Sequence, residues 1–228
     1  METFLHIIPA AGIASRIGGI PKFLLPIDED NFLIKFHSNL LNNAKLNIQK
    51  VIVVSSEYFR TVQRLNLDAE IIKADTATMN ETIKFAIKAF PEISKYILTM
   101  PDTFYKDSSI ILNLTEQIKT LNTQLSLALW KIENYQRGKL GQVLIENNKI
   151  TDVVDKDPNC EYEYAWGAIA WDKSVNHLIK VQDPHIGYIL KPALSNGNNI
   201  NYSISSGKYY DCGTFSEYSS LLNLENLK

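Results

Sequence analysis

Four groups of residues in this 228-residue chain have types and spacings suited to phosphate chemistry. The first is Ala10-Ala11-Gly12-Ile13-Ala14-Ser15-Arg16, followed shortly by Pro21-Lys22. Small side chains leave backbone amides bare, and bare amides can cradle phosphate oxygens. Arg16 can fork onto a phosphate, while Lys22 supplies a point charge. The same composition also suits a plain turn with two solvated cations, and glycine-rich loops are common, so composition leaves these readings even. The stretch is not a Walker A loop, because G-K-[ST] is missing, and it lacks G-x-G-x-x-G.

The second group is Met100-Pro101-Asp102-Thr103. A carboxylate at the end of a buried strand suits Mg²⁺, which prefers oxygen ligands and lets substrate phosphates complete its shell. Taken alone, an Asp after proline more often caps a turn. The third is Tyr210-Asp211-Cys212-Gly213-Thr214, where Asp211 suits a second metal ligand and Thr214 suits a helix N-cap. Cys212 reads as a small packing residue rather than a nucleophile. The fourth pairs Lys139-Leu140-Gly141-Gln142-Val143 with Val154-Asp155-Lys156-Asp157-Pro158. It offers a glycine that a ligand can approach, an acid for sugar hydroxyls and a lysine for phosphate. A solvated loop pair around a hairpin would look the same.

These residues need elements to carry them. Leu5–Ile8 reads as a buried strand ended by Pro9. Phe32–Leu46 carries a helical apolar stripe, Val51–Val54 reads as a strand covered on both faces, and Tyr96–Met100 reads as another buried strand. Thr78-Met79-Asn80-Glu81 fits a capping box that opens a helix reaching about Phe90. Alternating strands and helices predict βαβ units, a parallel sheet and right-handed crossovers. In such sheets ligands bind beyond the carboxyl ends of the strands, where residues 9–22 and Asp102 fall.

The second half turns β-rich. Leu125–Ile132 and Tyr162–Trp171 read as strands, and 142–154 as a hairpin about Asn147-Asn148. Ile186–Leu194 reads as a helix, 202–210 as a second hairpin about Ser206-Gly207, and Thr214-Phe215-Ser216-Glu217 as a capping box for a last helix. The expected fold is α/β: a Rossmann-like, mixed, mostly parallel sheet flanked by helices, with a β-rich extension. No repeat or long linker divides it.

Bulk properties narrow the function further. A net charge of −2 supplies no basic field for nucleic acid. Two distant cysteines, Cys160 and Cys212, and four scattered histidines make no metal box. Neither a signal peptide nor a run of about 20 apolar residues is present, which predicts a cytoplasmic protein without membrane contact. Tyr162, Tyr164 and Trp166 would suit a pocket wall or an interface equally, so no oligomeric state is assigned.

In order and spacing, the pieces resemble the sugar-phosphate nucleotidylyltransferases, also called nucleoside-diphosphate-sugar pyrophosphorylases, over nearly the whole chain from His6. The family signature is small residues and a glycine, then x-G-[ST]-R, then P-K before an apolar run. Here it stands as Ala11-Gly12-Ile13-Ala14-Ser15-Arg16 and Pro21-Lys22-Phe23-Leu24-Leu25-Pro26. Asp102 matches the family's acid after a central strand, and Gly141 its G-x-V glycine beside the sugar. Asp155-Lys156 resembles E-K-P, Asp211-Cys212-Gly213-Thr214 resembles D-x-G-T, and Gly167 lies where members carry a glycine-containing strand. Several matches in the same order are far more specific than any one.

Three departures stand out: Ala14 replaces the signature's second glycine, Asp155 replaces Glu, and only four residues separate Arg16 from Pro21. The short loop is also similar to that of cytidylyltransferases acting on polyol phosphates. No appended acyltransferase or β-helix domain is expected.

The resemblance implies a single nucleotidyltransferase domain over 1–228, with a nucleotide-binding half to about 110 and a sugar-phosphate-binding half after it. It implies that a sugar-1-phosphate attacks the α-phosphorus of a nucleoside triphosphate and pyrophosphate leaves. Ala11, Gly12, Ala14 and Ser15 would admit the triphosphate, while Arg16 and Lys22 offset its charge. Asp102 and Asp211 would hold Mg²⁺. Gly141, Asp155, Lys156 and Gly167 would line the sugar-phosphate site, and the base would sit over residues 74–82 near Asn80. Three other readings compete. One is a cytidylyltransferase for a polyol or amino-alcohol phosphate. Another is a non-catalytic nucleotide-sugar-binding regulatory module, which Ala14 would suit. The third is a glycosyltransferase, disfavoured because Asp102-Thr103-Phe104 lacks the second acid of D-x-D.

Overall fold

The structure, a computed structural model, describes residues 2–12, 20–120 and 122–223. Its frame is built from strands whose apolar runs leave no polar face. Strand β1 (Thr3–Ala10) is buried almost throughout and sits between β2 (Asn47–Val54) and β4 (Lys95–Thr99), pairing parallel with both. β3 (Glu70–Lys73) closes that edge parallel to β2. Contrary to the sequence expectation, β1 does not stop at Pro9. Pairing with β4 ends at Ile7, and Pro9 and Ala10 continue opposite Val53 and Val54 of β2.

Helix α1 (Leu33–Asn39) is shorter than its apolar stripe, because the chain breaks into turns from Leu40. Helix α2 (Phe59–Gln63) precedes β3. The cap at Thr78 forms, but only half of the box: the Thr78 hydroxyl accepts the Glu81 N–H at 3.0 Å, while the Glu81 carboxylate accepts at 2.7 Å from the N–H of Ala77, one residue before the cap. It opens α3 (Met79–Ala89).

Past β4 the chain makes the three-residue β5 (Thr103–Tyr105), α4 (Ser109–Thr120) and β6 (Leu125–Lys131). β7 (Gly141–Glu146) and β8 (Lys149–Asp155) form the expected hairpin. Asn147 and Asn148 turn it at φ of 50° and 58°, the left-handed conformation a tight two-residue turn needs. β9 (Tyr164–Asp172) then inserts antiparallel between β4 and β6. α5 (Leu190–Ser195) follows a 3₁₀ turn at Ile186–Ile189.

The second expected hairpin does not form. β10 (Ile200–Ser205) joins the main sheet parallel to β6, while β11 (Tyr209–Asp211) leaves it to pair antiparallel with β5. Helix α6 (Phe215–Leu222) is capped by Thr214, whose hydroxyl accepts the Glu217 N–H at 3.3 Å.

The main sheet therefore runs β10-β6-β9-β4-β1-β2-β3, with the β7–β8 hairpin hung from β9. It is α/β, mixed and mostly parallel. One face packs Leu5, Ile7, Leu98, Ile169 and Trp171 under α3 and α5; the other packs Phe4, Ile97, Trp130 and Ala170 under α1 and α4. Among the described residues, no helix is long and apolar enough to cross a membrane.

Candidate active site

Beyond the carboxyl ends of β1 and β4 lies a cavity of about 520 Å³, whose wall includes Lys22, Asp102, Gly141, Asp155, Lys156 and Asp211. Lys22 and Asp211 are separated by 188 residues of sequence, and the short β5–β11 ribbon completes their approach. After β4, a turn in which the Thr103 hydroxyl donates to the Met100 carbonyl at 2.8 Å throws Asp102 to the sheet's end. β11 then aligns Asp211 opposite Thr103, and the Cys212 N–H donates to the Asp102 carbonyl at 2.9 Å. The ribbon is seated on α1, where the buried His37 ring donates from Nε2 to the Thr103 carbonyl at 2.8 Å.

This places two carboxylates together. Burial, with Asp102 and Glu217 nearby, pushes the Asp211 carboxyl up to about 7, and Lys22 and Lys156 pull it partly back. Lys22 Nζ donates to Asp102 Oδ2 at 3.0 Å. A buried acid raised by its acidic neighbours is a place where a cation is favoured. Two carboxylates facing an open cavity form the hard, oxygen-only donor set that Mg²⁺ takes alongside phosphates, so Asp102 and Asp211 fit that ion. Among the described residues, no group of three or more His, Cys, Asp or Glu is arranged as a metal cage.

Opposite stands the β7–β8 hairpin. Gly141 and Asp155 are register partners, and Lys156 follows at φ of 52°, its N–H on the Leu140 carbonyl at 3.3 Å. Asp155 Oδ2 meets His185 Nε2 at 3.2 Å. That bond is the largest cause holding the Asp155 carboxyl below the usual range. Lys139, also on the wall, is paired with Glu217 at 2.8 Å, and Glu217 is only 8% exposed.

Gly141 and Gly167, the two glycines expected beside the sugar phosphate, are explained by aromatic rings. A Cβ on Gly141 would collide with the Trp166 indole nitrogen. Gly167 is skipped in the β6–β9 register: Ala128 faces Ala168 while Leu129 faces Trp166. This one-residue bulge moves Trp166 to the opposite face from Ala168, onto the cavity wall. A Cβ on Gly167 would collide with the Tyr209 ring and come 2.8 Å from Trp130 Cζ3. Gly167 itself does not line the cavity.

A second cavity of about 420 Å³ lies between Ala11-Gly12, Ser55, Glu57-Tyr58 and Asp75-Thr76-Ala77. Asp75 is locked there, accepting from the Ser56 N–H at 2.7 Å and hydroxyl at 2.5 Å. Asn80 lines neither cavity. It is fully buried, and its amide donates to the Lys180 carbonyl at 3.0 Å, fastening α3 to residues 180–184. Ala14, Ser15 and Arg16 lie outside the described residues.

The structure thus gathers Lys22, Asp102, Gly141, Asp155, Lys156 and Asp211, and sets Ala11 and Gly12 around the second cavity. His185 and Glu217 join the wall without having been assigned a site role from the sequence, and Lys139 was named only as part of the Gly141 stretch. His185 sits in an unremarkable Pro184-His185-Ile186 stretch, and Glu217 reads as the capping-box acid of α6. The nearest signal was Lys139, two residues before Gly141.

No known protein-family profile matches the chain, and no curated protein matches it by sequence. Solved structures do. A Bacillus anthracis protein described as a glucose-1-phosphate thymidylyltransferase, in complex with sucrose, superposes with a TM-score of 0.81 at 21% identity, covering 96% of this chain and 94% of that one. A UDP-glucose pyrophosphorylase complexed with UDP-glucose gives 0.77 at 17% identity, covering 98% of each chain. The inositol-1-phosphate CTP transferase from T. maritima gives 0.70 at 17%, covering 96% and 94%. From end to end, this chain has the fold on which those three proteins are built.

Proposed function

We propose that the protein is a nucleotidyltransferase that makes a nucleoside-diphosphate sugar and pyrophosphate from a nucleoside triphosphate and a sugar-1-phosphate. The observation that carries this reading is the Asp102–Asp211 pair, assembled between Lys22 and Lys156 in a cavity beyond the strand ends. Likeness of fold to proteins named for glucose-1-phosphate and UDP-glucose supports it, and the inositol-1-phosphate CTP transferase on the same fold shares the nucleotidyl transfer.

The reaction asks the protein to align two polyanions and offset their charge. An acceptor phosphate oxygen bonds to the α-phosphorus while the bond to the β-phosphate oxygen breaks, and no protein nucleophile takes part. Ala11 and Gly12 border the cavity assigned to the nucleoside, with the base over Asp75, Thr76 and Ala77. Lys22 faces the triphosphate, and Lys156 holds the acceptor phosphate. The acceptor itself lies against Gly141, Asp155 and Trp166. Mg²⁺ on Asp102 and Asp211 would act as Lewis acid toward the phosphates. In this reading residues 1–110 supply the nucleotide half and 111–228 the acceptor half of one domain, and Arg16 adds charge to the loop.

A panel of triphosphates against phosphate acceptors, read by pyrophosphate release with Mg²⁺ and with EDTA, tests the proposal. Release with at least one sugar-1-phosphate, abolished by EDTA, supports it. Triphosphate binding by calorimetry with no release on any acceptor overturns it in favour of a regulatory module. Release only with polyol or amino-alcohol phosphates moves the reading to that class of cytidylyltransferase.

A further inference from the structure

His185 is held by two hydrogen bonds that together set its tautomer. Its Nδ1 accepts the Gly187 N–H at 3.2 Å, capping the 3₁₀ turn Ile186–Ile189. A ring nitrogen that accepts carries no proton, so the proton of the neutral ring sits on Nε2. That nitrogen faces Asp155 Oδ2 at 3.2 Å. The ring is braced edge-on by Tyr188, with centroids 5.0 Å apart, and lies 6.3 Å from the Trp166 ring. Gly187 leaves room for this packing: a Cβ there would come 2.6 Å from Trp166 Cζ2 and 3.0 Å from His185 Cε1. Capping alone does not call for imidazole, since Asn, Asp or Ser caps better. What imidazole adds is an N–H on its far side.

We propose that His185 is a positioning residue for the acceptor: by donating from Nε2 it holds Asp155 as an oriented hydrogen-bond acceptor beside Lys156, and so selects a phosphate whose carbon skeleton presents a hydroxyl hydrogen. The linkage of His185 to Asp155 stands on geometry; the identification of the ligand as the acceptor rests on the nucleotidyl-transfer reading. The bond engages Oδ2 and leaves Oδ1 for the ligand. The Asp155 carboxyl, lowered chiefly by this bond, stays ionised and acceptor-only around neutral pH.

Two substitutions separate capping from positioning. His185→Asn keeps a good cap but is too short to reach Asp155, while His185→Gln can reach Asp155 with its amide but caps poorly. In His185→Asn, the Asp155 carboxyl followed by NMR should titrate higher than in the wild type, with the thermal midpoint held. The KM for glucose 1-phosphate should rise about tenfold, the loss expected for one hydrogen bond to a charged group. kcat and the triphosphate KM should stay within about twofold. Gln should recover part of the lost affinity, and ethyl phosphate, which lacks a hydroxyl, should be used no less well by His185→Asn than by the wild type. An Asp155 titration unchanged in His185→Asn overturns the proposal, as does a fall in kcat together with the thermal midpoint. If no triphosphate and phosphate pair reacts with the wild type, the nucleotidyl-transfer reading falls. The Asp155 titration then decides the role of His185 by itself.

Discussion

At the residue scale, Asp211 combines a functional placement with a cost in stability. Its carboxyl is raised to about 7 by burial and by Asp102 and Glu217. Between the ordinary carboxylate value and about 7 the folded protein binds a proton that the unfolded chain has released. Stability from this group is therefore complete at acid pH and is lost as pH rises through about 7. Asp211→Asn should consequently raise the thermal midpoint at pH 8 in EDTA by roughly 3 °C or more, since about 2–4 °C corresponds to 1 kcal/mol at this size. In the proposed reaction the same substitution, or Asp102→Asn, should lower turnover roughly a hundredfold or more, because each would remove a carboxylate proposed to hold the metal that offsets charge in the transition state. Wild-type-like rates with Mg²⁺ in both variants would sink the metal assignment. Lys156→Ala should mainly weaken use of the acceptor, seen as a higher acceptor KM with the triphosphate KM unchanged. Asp102, Asp155, Lys156 and Asp211 were legible in the sequence because each lies in a short acidic or basic motif at a strand end. His185 and Glu217 were not, because their partners lie 30 and 78 residues away and only the fold brings them close.

Among the elements, β9 does most to shape the cavity. Its bulge at Gly167 rotates Trp166 onto the wall, and the missing Cβ admits Tyr209. Gly167→Ala should cost about 1–3 kcal/mol, the usual penalty of overpacking, and lower the thermal midpoint accordingly. An unchanged melt would show that Tyr209 gives way freely. Helix α1 carries a different sensitivity. His37 is fully buried and its pKa is lowered to about 4 by that burial, while His6 on β1 is lowered to about 3. Below the ordinary histidine value the unfolded chain takes up protons that the fold refuses, so stability falls as pH drops from 6.5 toward about 4. His37→Gln, which can still donate to the Thr103 carbonyl, should flatten that fall by about 1.4 kcal/mol per pH unit in denaturant melts. An unaltered slope would mean the ring is not held neutral. The strands β1, β2, β4, β6 and β9 could be read from their apolar runs. The 202–210 stretch could not: two β-rich runs about Ser206-Gly207 look like a hairpin locally, yet each finds its partner more than 70 residues back, on β6 and β5.

Over the whole molecule, the two halves are interleaved. β9, from the second half of the chain, pairs with β4 of the first half, and one packed layer runs from Leu5 to Ala193. The Tyr218 hydroxyl on α6 donates to the Pro26 carbonyl at 2.6 Å, drawing the late chain onto the early one. Residues 1–110 expressed alone should therefore lack a cooperative melt by circular dichroism and show weak hydrogen-exchange protection in β1 and β4; a sharp transition would make them an independent domain. The α/β architecture was legible because alternating apolar runs and helical stripes report it locally, whereas the position of β9 depends on pairing with β4 and β6, which lie far back in the sequence. The β5–β11 ribbon has a consequence for the order in which the protein is made. Residues 209–211 supply one of its two strands, so a nascent chain emerging from the ribosome has Asp102 long before it has Asp211. The proposed cation site is thus completed among the last features of the growing polypeptide, and a truncated product that stops short of residue 209 is synthesised without the paired carboxylates.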